Sequence, residues 1–588
     1  MNTLQCKQII HGTPPVLNKE DVIALDLELS GLREEQLHRP AGRMVSLAGC
    51  FDGETVYIIQ DEEQVPEFLE NIKEAMWIFH NSTFDIGHLR RWAEVKERPI
   101  RDTMLIEKLM YSDYYSDFGL NDLVRRHLKC YMDKAVREEF NEQAGAMTRE
   151  QVEYAALDVI GTFLVDRAQQ AIIGTASKRV WDKIDMPTVW TSVDLSVFVL
   201  DKSKWLAVYE RHEGEVERIE EELGTKYGTT VRKEKGRGKN KVWADEFILF
   251  NPASPSQVLS NLRNRGLEVD STGDDILNGM LLSADCSAPD REFIEQIIQY
   301  RGAAKKASTY GKEYLKFVEA DGRIYSSLNV LGASTGRLSS RSPNLQQIPR
   351  GHEYRECFIA SKGSKLIIAD YSSQEPRIFA ALCGDENLIN IFKSGKDIYC
   401  EVAREAFDEE ITKADKERRT QIKALVLGLI YGLSPYGFAR DNEVDQETAE
   451  DMFSRFFAAF PKAAQWVKER QQINTGFTKT ILGRRCHLHP YNAQWKRNAL
   501  NNPIQGTGSD MLKLAMREFR AIHKNDLEQG LVRIVLPVHD EIILECLEEL
   551  ADDMKAALEN VMISVAEKIH VGIPASVEAH VADSWADK

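Results

Sequence analysis

The sequence predicts a multidomain protein of mixed α/β and α+β class. Its 588 residues correspond to about four compact units at roughly 150 residues per domain. Hydrophobic residues make up 43% of the chain, enough for sizeable cores, which argues against a disordered protein. Apolar strand patterns open the first third and helical patterns follow them, whereas the rest of the chain combines long helices with separate strands.

The first third predicts an α/β domain over residues 21–175, preceded by an irregular lead over residues 1–20. Four apolar runs predict its strands: Val22–Glu28, Val45–Ala48, Thr55–Ile59 and Trp77–Phe79. A mostly helical pattern then continues to about residue 172. Residues 176–200 are predicted to connect this domain to the next one.

The remainder alternates helical stretches with isolated strands. Helical periodicity covers residues 202–224, 290–318 and 386–475. Strands are predicted at Lys365–Asp370, Arg533–Val538 and Glu541–Glu545, with His539-Asp540 as a turn between the last two. A basic, glycine-broken run, Arg232–Lys241, separates the first two helical stretches.

The net charge, the apolar stretches and the cysteine spacing exclude several classes of protein. The formal net charge of −17 argues against a passive nucleic-acid coat, but it allows an enzyme with a local basic groove. The longest apolar stretch, Ala424–Leu433, holds about ten residues, half of what a membrane span needs, and no signal-peptide pattern is present. Nine scattered cysteines form no Cys-x-x-Cys pair, which favours a reducing cytoplasm over a zinc or disulfide scaffold.

Four acids in the first third form one candidate site. Asp26 and Glu28 lie two residues apart on a predicted strand, so their side chains point to the same face. Asp85 follows in an Asn-x-x-Phe-Asp pattern, and Asp158 lies one helical turn after Tyr154. Converging carboxylates repel one another unless divalent cations neutralise them, and oxygen-only ligands suit Mg²⁺ or Mn²⁺. Two such ions stabilise a phosphoryl displacement.

A second candidate site lies in the last two-thirds. Asp370 ends an apolar strand and Asp540 lies in the predicted hairpin turn, so the two acids could meet at one sheet edge and share metal ions. Between them, four residues spaced four apart share one stripe of a helix: Arg419, Lys423, Leu427 and Tyr431. Cations at one end suit a triphosphate, and an apolar and aromatic end suits a sugar and a base.

These motifs resemble two known families, in order and over nearly the whole chain from Asp26 to Trp585. The first set resembles the three motifs of DEDD-type 3′–5′ exonucleases. The second set resembles motifs A, B and C of family A DNA polymerases of the bacterial DNA polymerase I large-fragment type. Further matching stretches are Thr335–Ser340, Pro343–Pro349 and Arg497–Gln505.

The resemblance implies a ribonuclease-H-like exonuclease domain followed by a right-hand polymerase. It places the thumb at residues 201–320, the palm at 321–385 and 497–588, and the fingers at 386–496. It also implies two Mg²⁺ ions at each site, with Mn²⁺ as a substitute. The implied metal ligands are Asp370 and Asp540 in the polymerase and Asp26, Glu28, Asp85 and Asp158 in the exonuclease.

The remaining site residues also follow from the resemblance. Glu541 supports the polymerase metals, and Tyr154 orients the attacking water of the exonuclease. The implied nucleotide site comprises Gln374, Glu375 as a steric gate against ribonucleotides, Arg419, Lys423, Leu427 and Tyr431. The implied DNA contacts are Arg337, Asn344, Arg497, Asn501, Gln505 and His539. Glu375 also suits a helix start before Pro376, and both interpretations hold together.

Several departures from the family pattern affect the expectations. Leu29 stands where the exonuclease family has Thr, and Leu427 where the polymerase family has Phe or Tyr, which leaves dideoxynucleotide selectivity open. Motif A reads DYSSQEPR rather than DYSQIELR. About twenty residues precede the exonuclease domain, which leaves no room for a 5′-nuclease domain of about 300 residues and fits a phage-encoded or accessory enzyme.

The expected partners are primer–template DNA and deoxynucleoside triphosphates. The protein is expected to be a monomer that does not associate with a membrane. The basic run Arg232–Lys241 would follow the DNA backbone, recruit a processivity factor, or simply be a solvated loop. The main alternative function is an exonuclease with a non-functional polymerase domain. A polymerase with an inactive exonuclease, a single-subunit RNA polymerase and a non-catalytic scaffold fit the intact motifs less well.

Overall fold

The computed structural model describes residues 2–32, 41–132, 145–195, 198–235, 242–281, 283, 286–442, 444–473, 476–489, 492 and 494–588. The chain separates into two compact units. One comprises residues 1–198, 324–348 and 359–588, and the other comprises residues 199–323 and 349–358. About four units were expected from length; the first unit contains the N-terminal segment and nearly all of the predicted palm and fingers. In the described ranges, no helix has the length and apolar character of a membrane span.

The N-terminal segment is built around a six-stranded sheet. Its elements in the described residues are β1 (Asn2–Thr3), β2 (Gln8–His11), β3 (Val22–Ser30), β4 (Arg43–Cys50), β5 (Thr55–Ile59), α1 (Val65–Asn71), β6 (Met76–Phe79), α2 (Ser82–Leu89), β7 (Ile100–Asp102), α3 (Thr103–Tyr111), α4 (Leu120–Leu128), β8 (Cys130–Tyr131), α5 (Arg149–Ile172), α6 (Thr175–Val180) and α7 (Met186–Val193). The strand order is β2-β5-β4-β3-β6-β7, which we call the N-terminal sheet. β3 lies antiparallel to β4 and parallel to β6, and α5 packs across β3 and β4.

Two segments that were expected to be an irregular lead and a connector contain regular structure. The lead over residues 1–20 is not irregular throughout, because Gln8–His11 pairs with β5 as the edge strand of the N-terminal sheet. The connector over residues 176–200 is largely helical, with α6, a π-helical turn at Trp181–Asp185 and α7 in succession. Trp181 and Trp190 are buried in the same core as the sheet. The connector therefore belongs to the fold of the N-terminal segment.

The second unit is mostly helical. Its elements in the described residues are β9 (Val199–Leu200), α8 (Lys202–Lys226), β10 (Thr229–Lys235), β11 (Val242–Ile248), α9 (Pro255–Asn264), α10 (Asp274–Leu281), α11 (Ala288–Thr309) and α12 (His352–Arg355). The long helices α8 and α11 pack together around Leu223 and Phe293. β10 and β11 form an antiparallel hairpin, and residues 236–241 of the predicted basic run lie outside the described residues.

The rest of the first unit combines a sheet with helices. Its elements in the described residues are β12 (Ser327–Asn329), β13 (Ser339–Arg341), β14 (Phe358–Ile359), β15 (Ser364–Tyr371), α13 (Gln374–Cys383), α14 (Glu386–Lys393), α15 (Ile398–Phe407), α16 (Lys416–Ile430), α17 (Pro435–Asp441), α18 (Gln446–Ala459), α19 (Pro461–Gln471), β16 (Gly476–Lys479), β17 (Arg485–Leu488), α20 (Trp495–Ile522), α21 (Lys524–Glu528), β18 (Val532–Val538), β19 (Glu541–Leu547), α22 (Ala551–Ile569) and β20 (Val577–Ala582). The antiparallel order β18-β19-β15-β20 is called the C-terminal sheet. α20 and α22 pack together and against this sheet.

A buried cluster of four charges joins the N-terminal segment to α20. The Arg484 guanidinium donates to both carboxylate oxygens of Asp185, at 2.8 and 2.9 Å, and to Asp510 at 2.7 Å. Lys513 donates to Asp185 at 2.7 Å, and all four side chains are at most 2% exposed. Gly336 lies under Arg484, because a Cβ there would come within 2.7 Å of the guanidinium. This cluster is one of the contacts that join the two segments.

Candidate active sites

The four N-terminal acids come from three elements of the N-terminal segment. Asp26 and Glu28 alternate with buried Leu25 and Leu27 on the central strand β3, so their side chains share the opposite face. α5 crosses that face and brings Asp158 to them. One carboxylate oxygen from each of Asp26, Glu28 and Asp158 lies within 4.8 Å of the other two. This spacing suits a bound divalent cation.

Asp85 completes the N-terminal acids from the first turns of α2. Its Oδ1 accepts a hydrogen bond from the backbone N–H of Leu27 at 3.1 Å, which fixes it between Asp26 and Glu28 on β3. Burial raises the pKa of Asp85 well above its ordinary value, and the negative charge of Asp26 raises it further. The structure therefore brings together all four acids that the sequence predicted for this site.

Tyr154 lies next to these acids in the same helix as Asp158. Its ring is buried against Val45 of β4, with Met147 packed on the pair. Because Tyr154 and Asp158 are four residues apart in α5, they lie on the same side of the helix. The predicted tyrosine is thus held at the edge of the acid cluster.

The C-terminal acids, Asp370, Asp540 and Glu541, meet at one end of the C-terminal sheet. Asp370 of β15 lies directly opposite Glu541 of β19. Asp540 belongs to the two-residue turn between β18 and β19, where His539 adopts a left-handed conformation with φ 57°. The backbone carbonyl of Asp540 accepts a hydrogen bond from the N–H of Tyr371 at 3.2 Å. The turn thereby folds Asp540 back over the end of β15.

The electrostatics of the C-terminal acids match a cation site. Burial raises the pKa of Asp540 to about 7, and the charge of Asp370 contributes. The Oδ1 atom of Asp370 is buried without a hydrogen-bond partner among the described residues. A buried carboxylate oxygen without a partner is costly, and a metal ion would satisfy it.

The predicted nucleotide stripe runs along α16. Arg419 donates from Nε and Nη2 to the two carboxylate oxygens of Asp397, at 3.2 and 2.7 Å. The guanidinium also lies 5.1 Å from the ring centroid of Tyr399, whereas Lys423 is exposed one turn further on. Leu427 is partly buried against the core. The stripe therefore begins with two cations and ends in apolar packing.

Glu375, the predicted steric gate, is held by two neighbours. Its Oε1 accepts from Arg337 Nη2 at 2.9 Å, and its Oε2 accepts from the Tyr431 hydroxyl. Burial raises the pKa of Tyr431, and the charge of Glu375 adds to this, so the phenol stays protonated as the donor. These bonds join the first turn of α13 to the end of α16 and to the loop before β13.

Gln374, predicted as a nucleotide contact, is buried against α20. Its side chain is 5% exposed and its Oε1 lies 2.4 Å from where a Cβ of Gly508 would be. Close packing on α20 thus accounts for this glutamine. Gln374 and Glu375 are consecutive residues of α13, and successive side chains of a helix point about 100° apart. One can therefore be buried while the other is not.

Apart from Arg337, which contacts Glu375, the predicted DNA contacts lie in three places. Three of them follow at intervals of four residues along α20: Arg497, Asn501 and Gln505. Arg497 is exposed. Asn501 Oδ1 is buried and has no hydrogen-bond partner among the described residues. Asn344 caps a short 3₁₀ turn through a bond from Gln346 N–H at 3.1 Å, and His539 is exposed in the hairpin turn.

Comparison with known proteins identifies the family. The family model for DNA polymerase family A matches residues 224–587, more than half of the chain. The chain belongs to DNA polymerase family A. A model for a 3′–5′ exonuclease matches residues 6–168, which includes most of the lead that was expected to be irregular.

Curated relatives of this family A polymerase are bacterial. DNA polymerase I of Aquifex aeolicus is 30% identical over 577 residues, covering 92% of this chain and 94% of that protein. DNA polymerase I of Chloroflexus aurantiacus is also 30% identical, over 97% of this chain, and the thermostable DNA polymerase I of Thermus aquaticus is 34% identical over 50% of it. The chain spans 63% and 36% of the length of these two relatives.

A solved structure confirms the predicted fold class. The polymerase domain of Pol1 from M. smegmatis, in complex with DNA primer–template and dNTP, aligns with a TM-score of 0.80 at 23% identity. The alignment covers 98% of this chain and 99% of that one. This family A polymerase therefore consists of an N-terminal exonuclease domain and a polymerase domain, in the predicted order.

Sequence reasoning missed several residues at the C-terminal site of this family A polymerase. Lys588 donates to Asp370 and Glu541, and Trp585 Nε1 donates to Glu541 Oε1 at 2.9 Å. Asp397 was also missed as the partner of Arg419. These contacts join positions far apart in sequence, so no spacing pattern signals them. The one available sign was that Asp397 precedes a helical run, as a cap does.

Proposed function

We propose that this protein is a template-directed DNA polymerase with a proofreading 3′–5′ exonuclease. The observation that carries the proposal is that acids meet on two separate sheets: Asp26, Glu28 and Asp158 lie within 4.8 Å of one another, and Asp370 lies opposite Glu541 at the end of the C-terminal sheet. A stripe of cations on α16 belongs to the polymerase segment alone. Family membership supports both activities.

In the exonuclease, Asp26, Glu28, Asp85 and Asp158 would hold two Mg²⁺ ions, with Mn²⁺ as a substitute. Bound divalent ions supply a water nucleophile at neutral pH and stabilise the leaving oxygen. The close approach of three carboxylates and the raised pKa of Asp85 fit such cations. Tyr154, buried beside Asp158, would orient the attacking water toward the 3′-terminal phosphodiester.

In the polymerase, Asp370 and Asp540 would hold two Mg²⁺ ions, and Glu541 would support them. Those ions, when bound, would activate the primer 3′-hydroxyl and neutralise the triphosphate and pyrophosphate. Arg419 and Lys423 would bind the triphosphate, because the two cations lie one turn apart on α16, Arg419 partly exposed and Lys423 exposed. Positive charge placed there favours the transition state, in which negative charge builds on the leaving oxygens.

Sugar and base selection would fall to the residues around Glu375. Hydrogen bonds from Arg337 and Tyr431 hold its carboxylate in place, so it would leave no room for a 2′-hydroxyl. Tyr431 would bound the insertion site, with Leu427 packing near the sugar. Arg497, Asn501, Gln505 and His539 would contact the primer–template, where minor-groove contacts test pair shape rather than sequence.

The proposed partners are primer–template DNA and deoxynucleoside triphosphates, as in the M. smegmatis polymerase domain. We place the protein in the cytoplasm as a monomer. Its DNA substrate and its nine free cysteines support that compartment. A processivity factor and a phage origin stay predictions from the sequence.

A primer–template gel assay tests the proposal. A labelled primer with a 3′-terminal mismatch is incubated with Mg²⁺, once with all four deoxynucleotides and once without. The wild type is expected to shorten the primer without nucleotides and to extend it with them. Asp540→Asn should abolish extension and retain shortening, whereas Asp26→Ala with Glu28→Ala should do the opposite on a matched primer.

Asp583→Asn provides the matched control, because this exposed acid lies just after β20, in the same segment as Lys588. It should retain both activities. Shortening without any extension by the wild type would favour the alternative, an exonuclease with a non-functional polymerase domain. Loss of both activities in Asp540→Asn would show that the C-terminal acids do not form a separate active site.

A further inference from the structure

The segment after β20 places an ammonium group on the C-terminal acids. The Nζ atom of Lys588 lies 2.7 Å from Asp370 Oδ2 and 2.6 Å from Glu541 Oε2. It therefore bridges two carboxylates that face each other across β15 and β19. Such short, charge-assisted bonds are about twice as strong as neutral ones.

This ammonium is held by an ordered segment. Trp585 is fully buried, stacks on Phe198 with ring centroids 5.2 Å apart, and donates to the other oxygen of Glu541. Ser584 donates from its backbone N–H and its hydroxyl to one oxygen of Asp587, at 3.0 and 2.7 Å. These contacts hold the backbone on both sides of Ala586, so the backbone that leads to Lys588 has a defined position.

We propose that Lys588 is a resident cation of the C-terminal acids, which divalent metal ions must displace in order to bind. The inference rests on the proposed function, because it takes these acids to be the metal site. An ammonium donating to Asp370 Oδ2 and Glu541 Oε2 occupies one oxygen of each carboxylate and leaves Asp370 Oδ1 beside it for a metal ion. A metal ion at Asp370 would also lie close to the ammonium, and like charges repel.

Two consequences follow for the metal-free and metal-bound protein. Without metal, Lys588 offsets the repulsion between Asp370 and Glu541, so removing it should destabilise the first unit. With metal, Lys588 is a competitor, so removing it should tighten metal binding. Loss of stability together with a gain in metal affinity distinguishes a resident cation from a side chain that only packs.

The test uses the full chain with Asp26→Ala and Glu28→Ala as the parent, so that the exonuclease acids bind no metal. Mn²⁺ binding is measured by electron paramagnetic resonance of the free ion at fixed pH and ionic strength. Lys588→Met is expected to bind Mn²⁺ roughly three- to tenfold more tightly, since a partly exposed ion pair is screened by water. Lys588→Gln, which keeps a polar side chain, should agree.

Lys365→Met is the matched control. Lys365 begins the same strand as Asp370 but pairs with Asp583 at 2.7 Å, away from the C-terminal acids. Removing its charge should change Mn²⁺ affinity by less than about twofold, because exposed charges beyond the screening length interact weakly. An equal gain in both variants would overturn the inference, since it would reflect net charge alone.

Thermal unfolding supplies a second readout. In EDTA the Lys588→Met protein should unfold at a lower temperature than the parent, and saturating Mn²⁺ should close that difference. Unchanged Mn²⁺ affinity in Lys588→Met would overturn the role of Lys588. A parent protein that binds no Mn²⁺ would instead overturn the proposed function of the C-terminal acids, so the two failures are distinguishable.

Discussion

Replacing Arg484 by methionine tests the buried charge cluster that joins the N-terminal segment to α20. The guanidinium makes three hydrogen bonds, two to Asp185 and one to Asp510, and the four cluster charges sum to zero. The variant would leave two buried carboxylates with only Lys513 to neutralise them. Removing one partner of a buried ion pair costs about 3–5 kcal/mol. We expect the free energy of unfolding of the first unit to fall by that amount at pH 8.

The pH dependence of this loss is a sharper test than its size. Burial raises the pKa of Asp510, even with Arg484 present, whereas the charges of Arg484 and Lys513 outweigh burial and lower the pKa of Asp185. Without Arg484, Asp510 keeps a bond from Thr480 at 2.8 Å and should take up a proton. A group whose folded pKa is raised loses its stabilising contribution as pH rises through that pKa. The deficit of the variant should therefore shrink between pH 8 and pH 5.5.

Urea unfolding followed by tryptophan fluorescence provides the assay, because Trp181 and Trp190 are buried beside Asp185. Arg517→Met is the control: Arg517 lies one turn after Lys513 on α20, but its side chain is 36% exposed. It should cost less than about 0.5 kcal/mol. A loss below about 1 kcal/mol for Arg484→Met, or a loss that does not change with pH, would refute the argument that this cluster holds the two segments together.

Three further predictions concern the polymerase site. Glu375→Ala should raise ribonucleotide insertion by about a hundredfold in single-nucleotide extension, and unchanged sugar selectivity would contradict the gate. Asp397→Ala should raise KM for deoxynucleotides about tenfold with a smaller change in kcat, because Arg419 loses its orienting partner; a lower KM would show that Asp397 competes with the nucleotide. Burial raises the pKa of Asp540 to about 7, and its carboxylate must be ionised to bind a metal ion. The Mg²⁺ affinity of the proposed polymerase site should therefore fall roughly tenfold from pH 8 to pH 6. Binding that does not change with pH would exclude Asp540 as a ligand.

The sequence predicts strands and acids well where a local pattern carries the information. Val22–Ser30 alternates carboxylates with buried leucines over a short range, and the hairpin at His539-Asp540 is a local turn between apolar runs. Gln8–His11 was missed because only two of its residues are apolar, and the strand exists through its pairing with β5. An edge strand of this kind depends on its neighbour and not on its own pattern.

Contacts between distant segments account for what the sequence could not predict at the sites. The convergence of Asp26, Glu28 and Asp158 requires that α5 cross β3, and no spacing rule states that angle. Similarly, Gln374 and Glu375 are adjacent in sequence, yet one packs on Gly508 while the other accepts bonds from Tyr431 and Arg337. Ser373, which has φ 53°, precedes both residues at the start of α13.

The two internal ion pairs at the proposed polymerase site should therefore act in opposite ways. Arg419 has five N–H donors in a rigid fork, and Asp397 uses Nε and Nη2, so Nη1 can still bind a phosphate while Asp397 holds the fork in place. Lys588 has a single nitrogen, and it donates to Asp370 Oδ2 and Glu541 Oε2, close to where a metal ion on Asp370 would lie. Removing Asp397 should consequently weaken nucleotide binding, whereas removing Lys588 should strengthen metal binding. The geometry of each donor, rather than the presence of an ion pair, determines whether an internal partner positions a site or competes for it.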